Sequence, residues 1–95
     1  MKKLENPKWE ECRDYLRNTI LHRLQEMQRD LFGNEILTLE TDIGTNGKFV
    51  TAFCAVIINN VIRDRISLHL CVYDDREKID SDYARLTDFI KKYSA

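Results

Sequence analysis

The residues best suited to covalent chemistry lie close together in the sequence only once, at His69 and Cys71. A cysteine nucleophile needs a histidine within hydrogen-bonding reach and a third group that orients the ring. Residues two apart on a strand share a face, but their backbones lie roughly 6.6 Å apart, and a flat sheet offers no concave pocket. We therefore expect no catalysis by this pair and predict that the chain is not an enzyme.

Metal and cofactor chemistry also lacks a recognisable pattern. Cys12, Cys54 and Cys71 are odd in number and irregular in spacing, without the CxxC element of zinc sites. Glu40 and Asp42 share one face of a predicted strand, which is the arrangement of an acidic metal-binding pair. No glycine-rich phosphate loop or dinucleotide motif is present. The sequence therefore predicts no cofactor and no metal site.

A long amphipathic helix is predicted over about residues 7–32. Asn6 suits the N-cap and Pro7 the first turn, while Gly33 accepts the left-handed conformation that ends a helix. Apolar residues in steps of three and four keep to one face. They are Trp9, Cys12, Leu16, Ile20, Leu24, Met27 and Leu31.

A second helix is predicted over about residues 80–93, with Asp80 or Ser81 as its cap. The residues between the helices alternate in polarity and are interrupted by glycine and asparagine pairs, as in strands joined by tight turns. The strands are predicted over about residues 35–43, 48–58 and 61–73.

The order of elements predicts the fold class. Helix, three consecutive strands and helix, α-β-β-β-α, favour a two-layer α+β domain over residues 1–95. Its sheet would be a three-stranded antiparallel meander with both helices packed on one face. Ninety-five residues suffice for one hydrophobic core and not for two.

The predicted turns set the strand register. A two-residue turn at Asn59-Asn60 and a three-residue loop at Thr45-Asn46-Gly47 would turn Phe49 and Phe53 toward the helices. The opposite, open face would then carry an apolar strip along the middle strand: Val50, Cys54, Val56 and Ile58. On the neighbouring strands the same face would carry a polar rim, formed by Glu40, Asp42, Arg63, Arg65 and His69.

An apolar centre inside a charged rim is typical of a specific interface. We therefore expect a non-catalytic protein-binding module, such as a small adaptor, a chaperone-like protein, an immunity protein or an inhibitor. The partner would be another protein, a second copy of the chain, or both. Two alternatives stay open at this point: the strip is covered core, or the chain dimerises edge to edge through residues 67–73.

The same order of elements resembles double-stranded RNA-binding domains, which grip phosphates with lysines at the start of the second helix. Here that position reads Asp80-Ser81-Asp82-Tyr83-Ala84-Arg85, which is acidic. The order also resembles the front part of metal-dependent nucleases, but the acid-x-Lys element of those folds does not follow. Nucleic-acid binding through Arg63, Arg65 and His69 is therefore the alternative function, and a nuclease-like enzyme a weaker one.

Composition limits the partners further. Fifteen basic and sixteen acidic residues give a net charge of -1, which argues against electrostatic attraction to nucleic acid. The longest apolar run, residues 49–58, has about half of the ~20 residues that cross a bilayer. No secretory signal is recognisable. We therefore expect a cytoplasmic protein without a membrane partner.

Overall fold

The computed structural model describes residues 8–44 and 47–94, and it confirms the α+β fold with the order α-β-β-β-α. The sheet is antiparallel with strand order β1-β2-β3, and both helices pack on one face of it. The first helix has three consecutive segments: α-helical Trp9–Tyr15, π-helical Leu16–Ile20 and α-helical Leu21–Asp30. The strands are β1 Leu37–Ile43, β2 Phe49–Ile58 and β3 Val61–Cys71, and the second helix is Arg76–Ser94.

The π-helical segment has a cause in the apolar spacing of the first helix. Cys12, Leu16, Ile20 and Leu24 are all buried and follow one another in steps of four. In an α-helix each such step drifts by about 40° around the axis. The π turn, closed by the bond from the Leu21 N–H to the Leu16 carbonyl, holds more residues per turn and reverses the drift. The helix therefore keeps one buried face along its length.

Both helices differ in extent from the prediction. The first ends at Asp30 rather than at residue 32, and the predicted Asn6 and Pro7 lie outside the described residues. The second begins at Arg76, four residues before the predicted start, because Asp75 and not Asp80 caps it. The Asp75 carboxylate accepts the Lys78 N–H at 2.9 Å, as an N-cap residue does.

The predicted register of the middle strand is wrong by one residue on both sides. Toward β1, the Gly44 N–H donates to the Phe49 carbonyl at 2.8 Å, so Ile43 pairs with Val50 rather than with Phe49. The connection is therefore one residue longer than predicted; its Thr45 and Asn46 lie outside the described residues.

Toward β3, a bulge produces the same shift. The Asn59-Asn60 turn is as predicted, with φ of 55° and 65°, and Ile57 pairs with Ile62. The next pair is Val56 with Asp64, so Arg63 is the extra residue of a β-bulge.

These two shifts reverse the middle strand while leaving its neighbours as predicted. Side chains alternate across a sheet, so a slip of one residue exchanges the two faces. Val50, Cys54 and Val56, predicted to form the open strip, are buried beneath the helices. Burial raises the pKa of the Cys54 thiol to about 11, which keeps it protonated at neutral pH. The strip is therefore covered core.

Candidate interaction surface

The structure separates the predicted surface residues into two groups. Val50, Cys54 and Val56 are in the core, and Ile58 is exposed at the tip of the β2–β3 hairpin, on the helix side of the sheet. The predicted rim is largely retained on the face away from the helices. Pairing and alternation place four of its members there, while Arg63 lies at the bulge. The four are Glu40, Asp42, Arg65 and His69.

The open face, as we use the term, is the side of the sheet that neither helix covers. It consists of side chains that lie opposite one another in rows across the strands, read from the hairpin tip toward the other end. The rows are Ile36–Ile57–Ile62, Thr38–Ala55–Arg65, Glu40–Phe53–Ser67, Asp42–Thr51–His69 and, on two strands, Phe49–Cys71.

The row nearest the hairpin tip is entirely aliphatic. The Ile57 N–H donates to the Ile36 carbonyl at 2.8 Å, and Ile57 pairs with Ile62 on the other side. Ile36 is 42% exposed and Ile62 49% exposed. The predictions placed Ile57 and Ile62 in the core. The missed signal is that the residues after Asn60, Val61 and Ile62, are both aliphatic, so one of them faces away from the helices whichever register holds.

Two aromatic residues continue the apolar surface along the middle strand. Phe53 lies between Glu40 and Ser67, and Phe49 is stacked on His69 with ring centroids 4.8 Å apart. Both phenylalanines are half-buried. A shallow depression of about 630 Å³ lies across this part of the sheet, bordered by Asp42 and other polar side chains. The surface is therefore apolar along β2 and polar along its sides.

Opposite charges border the open face. Both carboxylates, Glu40 and Asp42, lie on β1, whereas Arg65 and His69 lie on β3. In the sheet Asp42 and His69 flank the same residue, Thr51. Acidic residues thus lie about 10 Å, two strand spacings, from the basic ones. This arrangement weakens the case for nucleic acid, because a phosphate backbone approaching Arg65 and His69 would also meet the two carboxylates.

The outer edge of β3 is occupied by side chains of the chain itself. The Asp74 carboxylate accepts the Cys71 N–H at 2.9 Å, and Lys78 Nζ donates to the His69 carbonyl at 3.4 Å. The Arg65 N–H donates to the neighbouring Asp64 carboxylate at 2.8 Å. An incoming strand would need these same backbone groups. The structure therefore disfavours edge-to-edge association through residues 67–73.

Lys78 is held firmly in its position at this edge. Its Nζ also contacts Asp74 at 3.1 Å and Asp82 at 3.0 Å. Partial burial lowers the Lys78 pKa, but the hydrogen bonds to Asp82 and Asp74 outweigh it and raise the pKa above its usual value. Lys78 therefore stays charged and keeps the His69 carbonyl occupied at neutral pH.

Within residues 8–44 and 47–94, no three His, Cys, Asp or Glu side chains converge on a common point where a metal ion could bind. Neither described helix has the length and apolar character needed to cross a membrane. Comparisons with protein-family models, with curated proteins and with solved structures find no match to this chain.

Proposed function

We propose that this chain is a non-catalytic protein-binding module that contacts its partner through the open face. The observation that carries the proposal is the row of Ile36, Ile57 and Ile62, which lies on a face that neither described helix covers. Apolar surface that continues into Phe53 and is bordered by charge is characteristic of contact sites. The small adaptors, chaperone-like proteins, immunity proteins and inhibitors all remain within this proposal.

The proposal includes a cytoplasmic location. No disulfide joins the cysteines in the described part of the chain, and Cys54 lies in the core without a cysteine partner. Oxidising compartments favour paired cysteines, whereas the cytosol keeps thiols reduced.

Two neighbouring residues of β3 provide a matched test. Val61 and Ile62 are 50% and 49% exposed, but they lie on opposite sides of the sheet because they pair with Ile58 and Ile57. Ile62→Glu places a charge in the open face, and Val61→Glu places the same charge at the same exposure on the helix side. We expect Ile62→Glu to abolish association with the partner and Val61→Glu to preserve it.

The measurement compares the proteins retained by immobilised wild type, Ile62→Glu and Val61→Glu, together with the sedimentation of each variant alone. Circular dichroism and thermal melting establish that both variants fold, and Ile36→Glu on β1 is a second open-face variant. Equal retention by the Ile62 and Val61 variants, or loss of binding only in Val61→Glu, would contradict the assignment of the open face.

A further inference from the structure

We infer that the partner seated on the open face is a second copy of this chain, packed face to face about a two-fold axis parallel to the strands. This inference rests on the proposed function, and it adds the identity of the partner and its orientation. It follows from the symmetry of the open face: only one two-fold arrangement matches both the apolar rows and the charged borders.

The apolar rows match under this axis. A two-fold axis that lies between the sheets and runs parallel to the strands preserves the position of each row along the strands. The row Ile36–Ile57–Ile62 therefore faces its own copy, with Ile36 opposite Ile62 and Ile57 opposite Ile57 of the second copy. Phe53 likewise faces Phe53. Sheets packed in this way lie about 10 Å apart with their strands nearly aligned.

The charged borders match under the same axis. It exchanges left and right, so β1 of one copy faces β3 of the other. Asp42 then faces His69 of the second copy, and Glu40 lies one row from Arg65 of the second copy. Complementary charges of this kind fix orientation and discourage other modes of association.

The other in-plane two-fold axis, perpendicular to the strands, produces the opposite result. It leaves β1 facing β1, so Glu40 and Asp42 approach the same carboxylates of the second copy. It also reverses the strand direction, so the aliphatic row would lie against the end of the face that carries Phe49 and Cys71. Like charges and mismatched rows both disfavour this arrangement.

The size of the face sets the strength of the dimer. Three strands about 4.8 Å apart and up to about 36 Å long form a face of roughly 500 Å². Two copies then bury on the order of 1,000 Å² in total, which is near the lower limit for a specific interface. We therefore expect a dimer that dissociates on dilution.

Charge exchange between the two borders tests the orientation. One variant carries Glu40→Lys with Asp42→Lys, and the other carries Arg65→Glu with His69→Glu. All four residues are exposed, and circular dichroism verifies that both variants fold. In sedimentation equilibrium we expect the wild type to dimerise, each variant alone to dimerise at least about tenfold more weakly, and an equal mixture to form the heterodimer. One tenfold step corresponds to about 1.4 kcal/mol.

The outcomes separate this inference from the proposed function. Variants that still dimerise alone, or a mixture that does not associate, would overturn the orientation. A wild type that stays monomeric at all concentrations would overturn the second copy as partner. The open face would then be tested by the retention of a different protein, lost with Ile62→Glu and kept with Val61→Glu. Loss of that difference as well would overturn the proposed function itself.

Discussion

Asp64 and Tyr93 connect the bulged end of β3 to the end of the second helix. The Tyr93 hydroxyl donates to the Asp64 carboxylate at 2.5 Å, and the Arg65 N–H donates to the same carboxylate at 2.8 Å. These bonds stabilise the charged form, so the pKa of Asp64 lies below its usual value of 3.8. The bond to the Asp64 carboxylate also raises the pKa of Tyr93. The pair therefore stabilises the fold only while Asp64 is charged and Tyr93 is protonated.

Tyr93→Phe gives this contact a measurable pH dependence. A carboxyl group whose pKa is lower in the folded state contributes its full stability above pH 3.8, and this contribution disappears as pH falls through the folded-state pKa. We expect the variant to melt at a lower temperature than the wild type at pH 7, and the difference to shrink below pH 3.8.

Thermal melting from pH 7 to pH 3 is the measurement, with Asp64→Asn as the matched control. The control removes the titrating group, so its difference from wild type is expected to shrink in the same pH range. A Tyr93→Phe difference that stays constant over the whole range would show that the hydroxyl acts through packing alone.

At the scale of the elements, the caps and turns determine where each helix and strand lies. The second helix gains its first turn from Asp75, and this turn brings Ile79 into the core with 0% exposure. It also places Lys78 against Asp74 and the β3 edge. Loss of the cap therefore affects both the helix and the segment that blocks the edge.

Asp75→Ala is expected to lower the free energy of unfolding by about 1 kcal/mol, because the Lys78 N–H loses its acceptor. Asp75→Asn retains an acceptor at the same position and is expected to remain within a few tenths of a kcal/mol of the wild type. Chemical denaturation of the three proteins tests this. Equal losses in both variants would mean that the negative charge, rather than the cap bond, stabilises the helix.

The fold could be predicted from the sequence because its main signals are local. Steps of three and four identified the first helix, and Asn59-Asn60 identified the turn that the structure contains. The inward faces of β1 and β3 were also correct, since the buried Leu39 and Leu68 alternate with polar residues.

The middle strand could not be predicted because both of its faces are apolar. Val50 and Cys54 on one face and Phe49 and Phe53 on the other satisfy the same pattern, so polarity does not select a register. Two non-local features selected it: the length of the β1–β2 connection and the bulge at Arg63. For this reason the predicted rim was largely found on the open face, but the predicted apolar centre was not.

The whole molecule is elongated, with extents of 51 × 24 × 20 Å. Its Cα radius of gyration, 14.4 Å, exceeds the roughly 12 Å typical of a chain of this length. β3 alone, with eleven residues, is about 36 Å long and exceeds both shorter extents, so the strands run along the long axis. At one end of this axis the hairpin tip exposes Ile58 and Val61 on the helix side of the sheet.

This shape distinguishes two ways in which a dimer could form, because each changes a different dimension. Face-to-face packing about an axis parallel to the strands adds thickness and preserves the 51 Å length. End-to-end packing through Ile58 and Val61 would about double the length instead. We expect small-angle X-ray scattering of the dimer to show a maximum dimension close to that of the Ile62→Glu monomer, with a larger cross-section. A maximum dimension about twice as large would contradict the face-to-face dimer and would assign the contact to the hairpin tip.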